Sequence, residues 1–168
     1  MKKAISYLYR EILLKVDEKL EGWYTSEYEY DARYKEPIED FRSELDKVNI
    51  QDAKNFDEKL LKELYEEATD ESWIEQELEL ISDIKNDLRY GDFHIGDEID
   101  EGASFYPSRE VGIAITGLDS YCLGWTYYFG GGDYGCPDEV EWVEDCYLLK
   151  VREVEETRIV KIYEKIEK

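Results

Sequence analysis

Gly130, Gly132 and Gly135 follow a β-like run and fit the G-x-G-x-x-G spacing that lets a backbone approach a pyrophosphate at a helix N-terminus. Asp133, Asp138 and Glu139 crowd the same place with like charge. The stretch before Cys146 is also too short for the crossover of a dozen or more residues that a parallel βαβ unit needs. A loop requiring positive φ explains these glycines, and no nucleotide is expected. Asp97, Glu98, Asp100 and Glu101 could gather a hard cation, but Ile99 stands where an EF-hand loop requires an oxygen ligand. The three cysteines, Cys122, Cys136 and Cys146, form no C-x-x-C pair, and with His94 their spacing fits no compact zinc knuckle. A Ser or Cys nucleophile would have to share that one histidine, with no orienting acid or oxyanion hole marked. Pro137 and Asp138 could open a metal-dependent nuclease core, but the later Glu-x-Lys is missing. Leu148, Ile159, Tyr163 and Ile166 stand two residues before Lys150, Lys161, Lys165 and Lys168. The expectation is therefore no metal, no cofactor and no enzyme.

The elements that would position any site divide near Tyr90 and Gly91. Before that point the apolar spacing is helical. Ile5, Leu8, Ile12, Val16 and Leu20 mark a first helix, with Gly22 as its expected end. Pro37 opens a second, with Ile38, Phe41, Leu45 and Val48 inward. A third follows Asp52, with Phe56, Leu60, Leu64 and Ala68 inward. Ser72 and Glu75 have capping-box spacing before a fourth, carrying Ile74, Leu78, Ile81, Ile84 or Lys85, and Leu88. After Gly91, glycine and β-branched or aromatic residues dominate. Residues Val111–Thr116 and Tyr121–Phe129 read as strands joined by a Gly117–Ser120 turn, and Cys146–Glu153 with Thr157–Ile166 as a final hairpin. The fold class read from this order is α+β: an N-terminal helical half (1–90) packed on a C-terminal antiparallel β-sheet (91–168), together one compact domain.

Charge is the strongest compositional signal. The 168 residues hold 43 acids against 21 bases, a formal net charge of −22. Such self-repulsion opposes compaction, yet four Trp, fifteen Tyr and five Phe supply a core that disordered chains lack. Between 63 and 84 stand Glu63, Glu66, Glu67, Asp70, Glu71, Glu75, Glu77, Glu79 and Asp83 with no base. Between 91 and 145 the one base is Arg109, and 146–168 is nearly balanced. For a single helix this reads as a solvated face, but here one sign persists across helix, loop and strand. Duplex DNA carries one charge per roughly 1.7 Å of axis, so the net charge matches about 37 Å of duplex. Tyr28 and Tyr30 interleave with Glu27, Glu29 and Asp31, rings beside carboxylates that suit an arginine-rich target or else pack as core. Trp23 and Tyr24 read as core.

The segment from Tyr127 to Tyr147, YYFGGGDYGCPDEVEWVEDCY, resembles the C-terminal part of small proteins of phages and mobile elements. In size, acidity and Tyr/Trp content the chain looks like the anti-restriction and anti-CRISPR proteins that imitate DNA. That resemblance implies a non-enzymatic inhibitor in the basic nucleic-acid groove of a host defence enzyme. An immunity protein holding a basic nuclease toxin satisfies the same physics, and an acidic protein with no special partner is the plain alternative. The partner expected is a basic protein, with no direct nucleic acid and no membrane. The contact residues expected are Glu27, Tyr28, Glu29, Tyr30, Asp31, Glu66, Glu67, Asp70, Glu71, Asp97, Glu98, Asp100, Glu101, Asp133, Tyr134, Asp138 and Glu139. The apolar stretch after Lys2 and Lys3 is broken by Arg10 and Glu11, so no secretory h-region is read, and a bacterial cytoplasm with reduced thiols is expected.

Overall fold

The structure, a computed structural model, describes residues 2–25, 34–70, 80–95, 108–128 and 141–152. Helix α1 spans Lys3–Thr25, α2 Lys35–Val48, α3 Glu58–Asp70 and α4 Leu80–Arg89. Strands β1 (Phe93–His94), β2 (Ser108–Ala114), β3 (Tyr121–Tyr128) and β4 (Tyr147–Lys150) form one antiparallel sheet in the order β1-β2-β3-β4. The architecture is α+β, with the helices in the N-terminal half and the sheet in the C-terminal half. No helix among the described residues is long and apolar enough to cross a membrane.

The core lies between the helices and one face of the sheet. Val111, Ile113, Leu123 and Trp125 alternate along β2 and β3 and join the buried stripes of all four helices. Helix α1 is central. Leu8, Ile12, Leu13 and Leu20 are fully buried, and so are Ser6, Arg10 and Glu11 beside them. It does not stop at Gly22. Trp23 packs against the core one residue later, and that burial outweighs the ~1 kcal/mol a helical glycine costs relative to alanine.

Helix α2 follows its expected stripe, with Ile38, Phe41, Leu45 and Val48 all buried. Asn49 ends it in the left-handed region at φ 58°. In α3, Leu64 and Ala68 are inward as expected, and Phe56 is buried just before it, but Leu61 and not Leu60 completes the stripe. Asp57 caps the helix, its Oδ1 accepting the N–H groups of Lys59 at 3.0 Å and Leu60 at 3.1 Å, so that the helix starts at Glu58. In α4, Ile81, Ile84 and Leu88 are inward as expected. The capping-box residues Ser72 and Glu75, and the second strand of the expected final hairpin, lie outside the described residues.

The far face of the sheet is built around two glycines. One register row runs Phe93–Gly112–Gly124–Tyr147 across all four strands. The rings at its ends reach inward over the glycines, and Ile95 lies over both. A Cβ on Gly124 would stand 2.7 Å from Tyr147 Cε2, and one on Gly112 only 2.5 Å from the Leu123 carbonyl oxygen. The first clash is with a side chain that can yield; the second is with the neighbouring strand's backbone. Gly112→Ala is therefore expected to cost about 1–3 kcal/mol by overpacking. Urea unfolding checks this, and a midpoint unchanged from the parent would contradict it.

Candidate functional site

Carboxylates from separate parts of the sequence act on one tyrosine, itself stacked on another. Tyr9 on α1 and Tyr65 on α3 stack with centroids 3.7 Å apart and planes 11° from parallel. Tyr65 is buried, whereas Tyr9 stays partly exposed. The Tyr9 hydroxyl is held above its ordinary pKa, first by burial and then by the negative charge of Glu66, Glu141 and Glu144. Glu66 comes from the acidic window at 63–84, and Glu141 and Glu144 from the window at 91–145. Carboxylates of both windows thus act on the same tyrosine.

Helix periodicity explains the α3 contribution. Glu63, Glu66 and Glu67 lie opposite the Leu61–Tyr65 stripe and are exposed. Lys59 and Lys62 reach Glu63 and Glu66 at 3.3 and 3.2 Å, exposed pairs that screen only part of this charge. Glu141 and Glu144 flank Trp142 and Val143, which are buried and anchor the turn before β4. Trp142 packs against Trp125 with centroids 4.8 Å apart. Among the described residues, neither Glu141 nor Glu144 has a base within ion-pair distance.

A second acidic surface follows the outer side of α1. Glu11, Asp17, Glu18, Glu21 and Asp92 line a groove of about 380 Å³ with Lys15, over a floor that includes Leu14 and Ile113. Part of its charge is paired: Arg42, outside the groove, donates to Asp17 at 2.8 Å and reaches Glu21 at 3.8 Å, and Arg10 holds Glu11. The sequence reading passed over these acids because Lys15, Lys19 and Arg42 dilute the local count. The Tyr9 surface keeps more unbalanced charge and is the stronger candidate.

Of the contact residues expected from sequence, Glu66 and Glu67 are exposed on α3, and Asp70 closes that helix. Glu27, Tyr28, Glu29, Tyr30, Asp31, Glu71, Asp97, Glu98, Asp100, Glu101, Asp133, Tyr134, Asp138 and Glu139 lie outside the described residues, as does the Gly130–Gly135 loop. Tyr9 and Tyr65 were missed because rings inside apolar helical stripes read as core.

No family model, curated protein or solved structure matches the chain.

The described residues offer little to covalent chemistry. His94 is exposed on β1. Cys122 is buried on the far face of the sheet, and Cys146 is buried on the helix side, 4.0 Å from the Ala4 carbonyl oxygen. Burial pushes the Cys146 thiol up to about 12 and raises Cys122 as well, so neither is a ready thiolate. Among the described residues, no three His, Cys, Asp or Glu side chains are grouped to hold a metal ion.

The electrostatics give a signed expectation. Burial lifts the Glu11 carboxyl above its ordinary value, although Thr116 and Arg10 donate to it. A raised carboxyl contributes stability that is present below its unfolded pKa and lost as pH rises through the folded value. Net charge acts in the same direction, because protonating carboxylates relieves self-repulsion. Asp52, held low by the Lys54 N–H, loses its contribution only further into acid. Tm at low ionic strength is therefore expected to rise from about pH 7.5 to about pH 5.5, and to rise with salt at neutral pH as screening shortens the Debye length from ~30 Å toward ~3 Å. Thermal melts check both signs.

Proposed function

We propose that this chain is a non-enzymatic binding protein whose acidic surface occupies the basic nucleic-acid groove of an enzyme, most plainly one of host defence, as in the anti-restriction and anti-CRISPR proteins that imitate DNA. The observation supporting the reading is that Glu66, Glu141 and Glu144, exposed and drawn from both acidic windows, all act on Tyr9. A groove that evolved for phosphates presents Lys and Arg at close spacing, and carboxylates held on a folded surface meet it without the cost of ordering a flexible chain. Steering by a net charge of −22 speeds encounter with such a partner. The same charge repels phosphate, so the chain is placed opposite a nucleic-acid-binding protein and not on nucleic acid itself.

The test is competition. The immobilised chain is exposed to bacterial lysate at about 0.05 M and about 0.5 M salt, and each captured enzyme is assayed for binding to labelled nucleic acid with and without equimolar chain. The expected result is capture at low salt and displacement of the nucleic acid. Capture of no nucleic-acid-handling protein, or captured enzymes that keep their nucleic acid, would remove the reading.

A further inference from the structure

We infer that Arg10 and Glu11 form a latch through which the α2–α3 connection (49–57) and the β2–β3 connection (115–120) open as one cooperative unit, so that two walls of the α1 groove are set together. Both side chains are buried on α1. Arg10 holds the first connection by its backbone: Nε donates to the Ile50 carbonyl at 2.7 Å and Nη2 to the Gln51 carbonyl at 3.4 Å. Nη1 holds the second, donating to the Thr116 carbonyl at 3.0 Å, and also reaches Glu11 Oε1 at 2.7 Å. Glu11 completes the second attachment, accepting the Thr116 N–H at 3.2 Å and the Thr116 hydroxyl at 2.7 Å. One planar fork thus serves two segments far apart in sequence.

Among the described residues no backbone hydrogen bond runs directly between the two connections. They approach where Gly117 lies beside Ala53: a Cβ added to the glycine would stand 3.4 Å from the Ala53 Cβ. Their own backbone bonds are short-range. The Asp52 N–H donates to the Asn49 carbonyl at 3.0 Å, the Asn55 N–H to the Asp52 carbonyl at 3.3 Å, and the Leu118 N–H to the Ile115 carbonyl at 2.9 Å. Turns held in this way belong to the low-stability end of a fold. If one connection lifts from α1 alone, the guanidinium and carboxylate lose part of their partners while still buried, the costliest state for a charged pair. The favoured states are therefore both connections seated or both lifted with the pair hydrated. Gln51 and Thr116 line the groove together with Glu11, so a group entering there meets walls that move as one.

Native-state hydrogen exchange of the full chain, followed by NMR at low urea concentrations, tests the coupling. The reporters are the amides of Asp52 and Asn55 on one side and of Thr116 and Leu118 on the other. The expected result is one opening free energy and one urea slope shared by all of them, both below those of the buried stretch of α1. Two distinct values, or values equal to those of α1, overturn the latch, and this measurement needs no variant that could misfold. Thr116→Val then removes the hydroxyl that Glu11 accepts while keeping the shape of a side chain that is exposed. Exchange at Asp52 and Asn55 is expected to accelerate by about tenfold, the same factor as at Leu118. A bond that served only its own turn would accelerate 115–120 alone, and that outcome overturns the coupling.

Discussion

Replacing Glu11 by alanine with Arg10 left in place is expected to cost about 3–5 kcal/mol, a large share of the ~5–15 kcal/mol available to a domain. The two side chains are 6% and 1% exposed, and Arg10 Nη1 donates to Glu11 Oε1 at 2.7 Å. Glu11 also accepts the Thr116 N–H at 3.2 Å and the Thr116 hydroxyl at 2.7 Å. Removing it strands a buried guanidinium and two donors at once. Isolated buried ion pairs can often be exchanged for apolar residues at no loss, but this pair differs. Arg10 also donates to the carbonyls of Ile50 at 2.7 Å and Thr116 at 3.0 Å. Arg10→Met with Glu11→Ala would orphan those acceptors, so the double variant is expected to remain well below the parent, yet to lose less than the Arg10→Met and Glu11→Ala losses added. Urea unfolding of the four proteins in a double-mutant cycle gives both numbers. A Glu11→Ala loss within about 1 kcal/mol of zero would show that solvent reaches the pair.

The second large effect is expected at Trp125. Its side chain is fully buried, packs on Trp142, and its indole N–H donates to the Arg89 carbonyl at 2.9 Å. Arg89 is the last residue of α4, where carbonyls lack helical partners, so this bond both caps the helix and ties it to the sheet. Trp125→Ala is expected to lose about 3–5 kcal/mol from the cavity alone, plus about 1–3 kcal/mol for the orphaned carbonyl. Trp125→Phe separates the two terms: it keeps most of the apolar area and should lose about 1–3 kcal/mol. Denaturant midpoints measure both, and near-ultraviolet dichroism reports whether the Trp142 contact survives.

How much of this was legible depended on whether the information was local. The α2 stripe Ile38–Val48 needs only helical period, and it was readable. So were the strands and the turn between them, where glycine and β-branched residues change the texture at Gly91. In α3, Leu64 and Ala68 were readable, but Leu60 and Leu61 both fit the helical spacing to Leu64, and only packing shows that Leu61 is the buried one. Arg10 and Glu11 read as a polar interruption, because their partners are 40 to 106 residues away. The Gly112–Gly124 row exists only once register is fixed. At the candidate surface, acidity was visible and the windows were right for Glu66. Tyr9 was not visible as an anchor, because only the packing of α1 against α3 turns a stripe residue into a ring facing carboxylates.

The central position of α1 has a kinetic consequence. Arg10 finds its acceptor on Thr116 at a separation of 106 residues, and Cys146 meets Ala4 at 142. Contacts of such range slow folding, since much of the chain must be ordered before they repay the loop entropy. Made at roughly 5–20 residues per second, a nascent chain would hold a finished α1 for about 5–20 s before its sheet partner is synthesised. Throughout that interval the apolar stripe of α1, with Arg10 and Glu11 still lacking Thr116, is open to other chains. Like-charge repulsion between the dense carboxylates of the helical half opposes such association while α1 awaits the sheet.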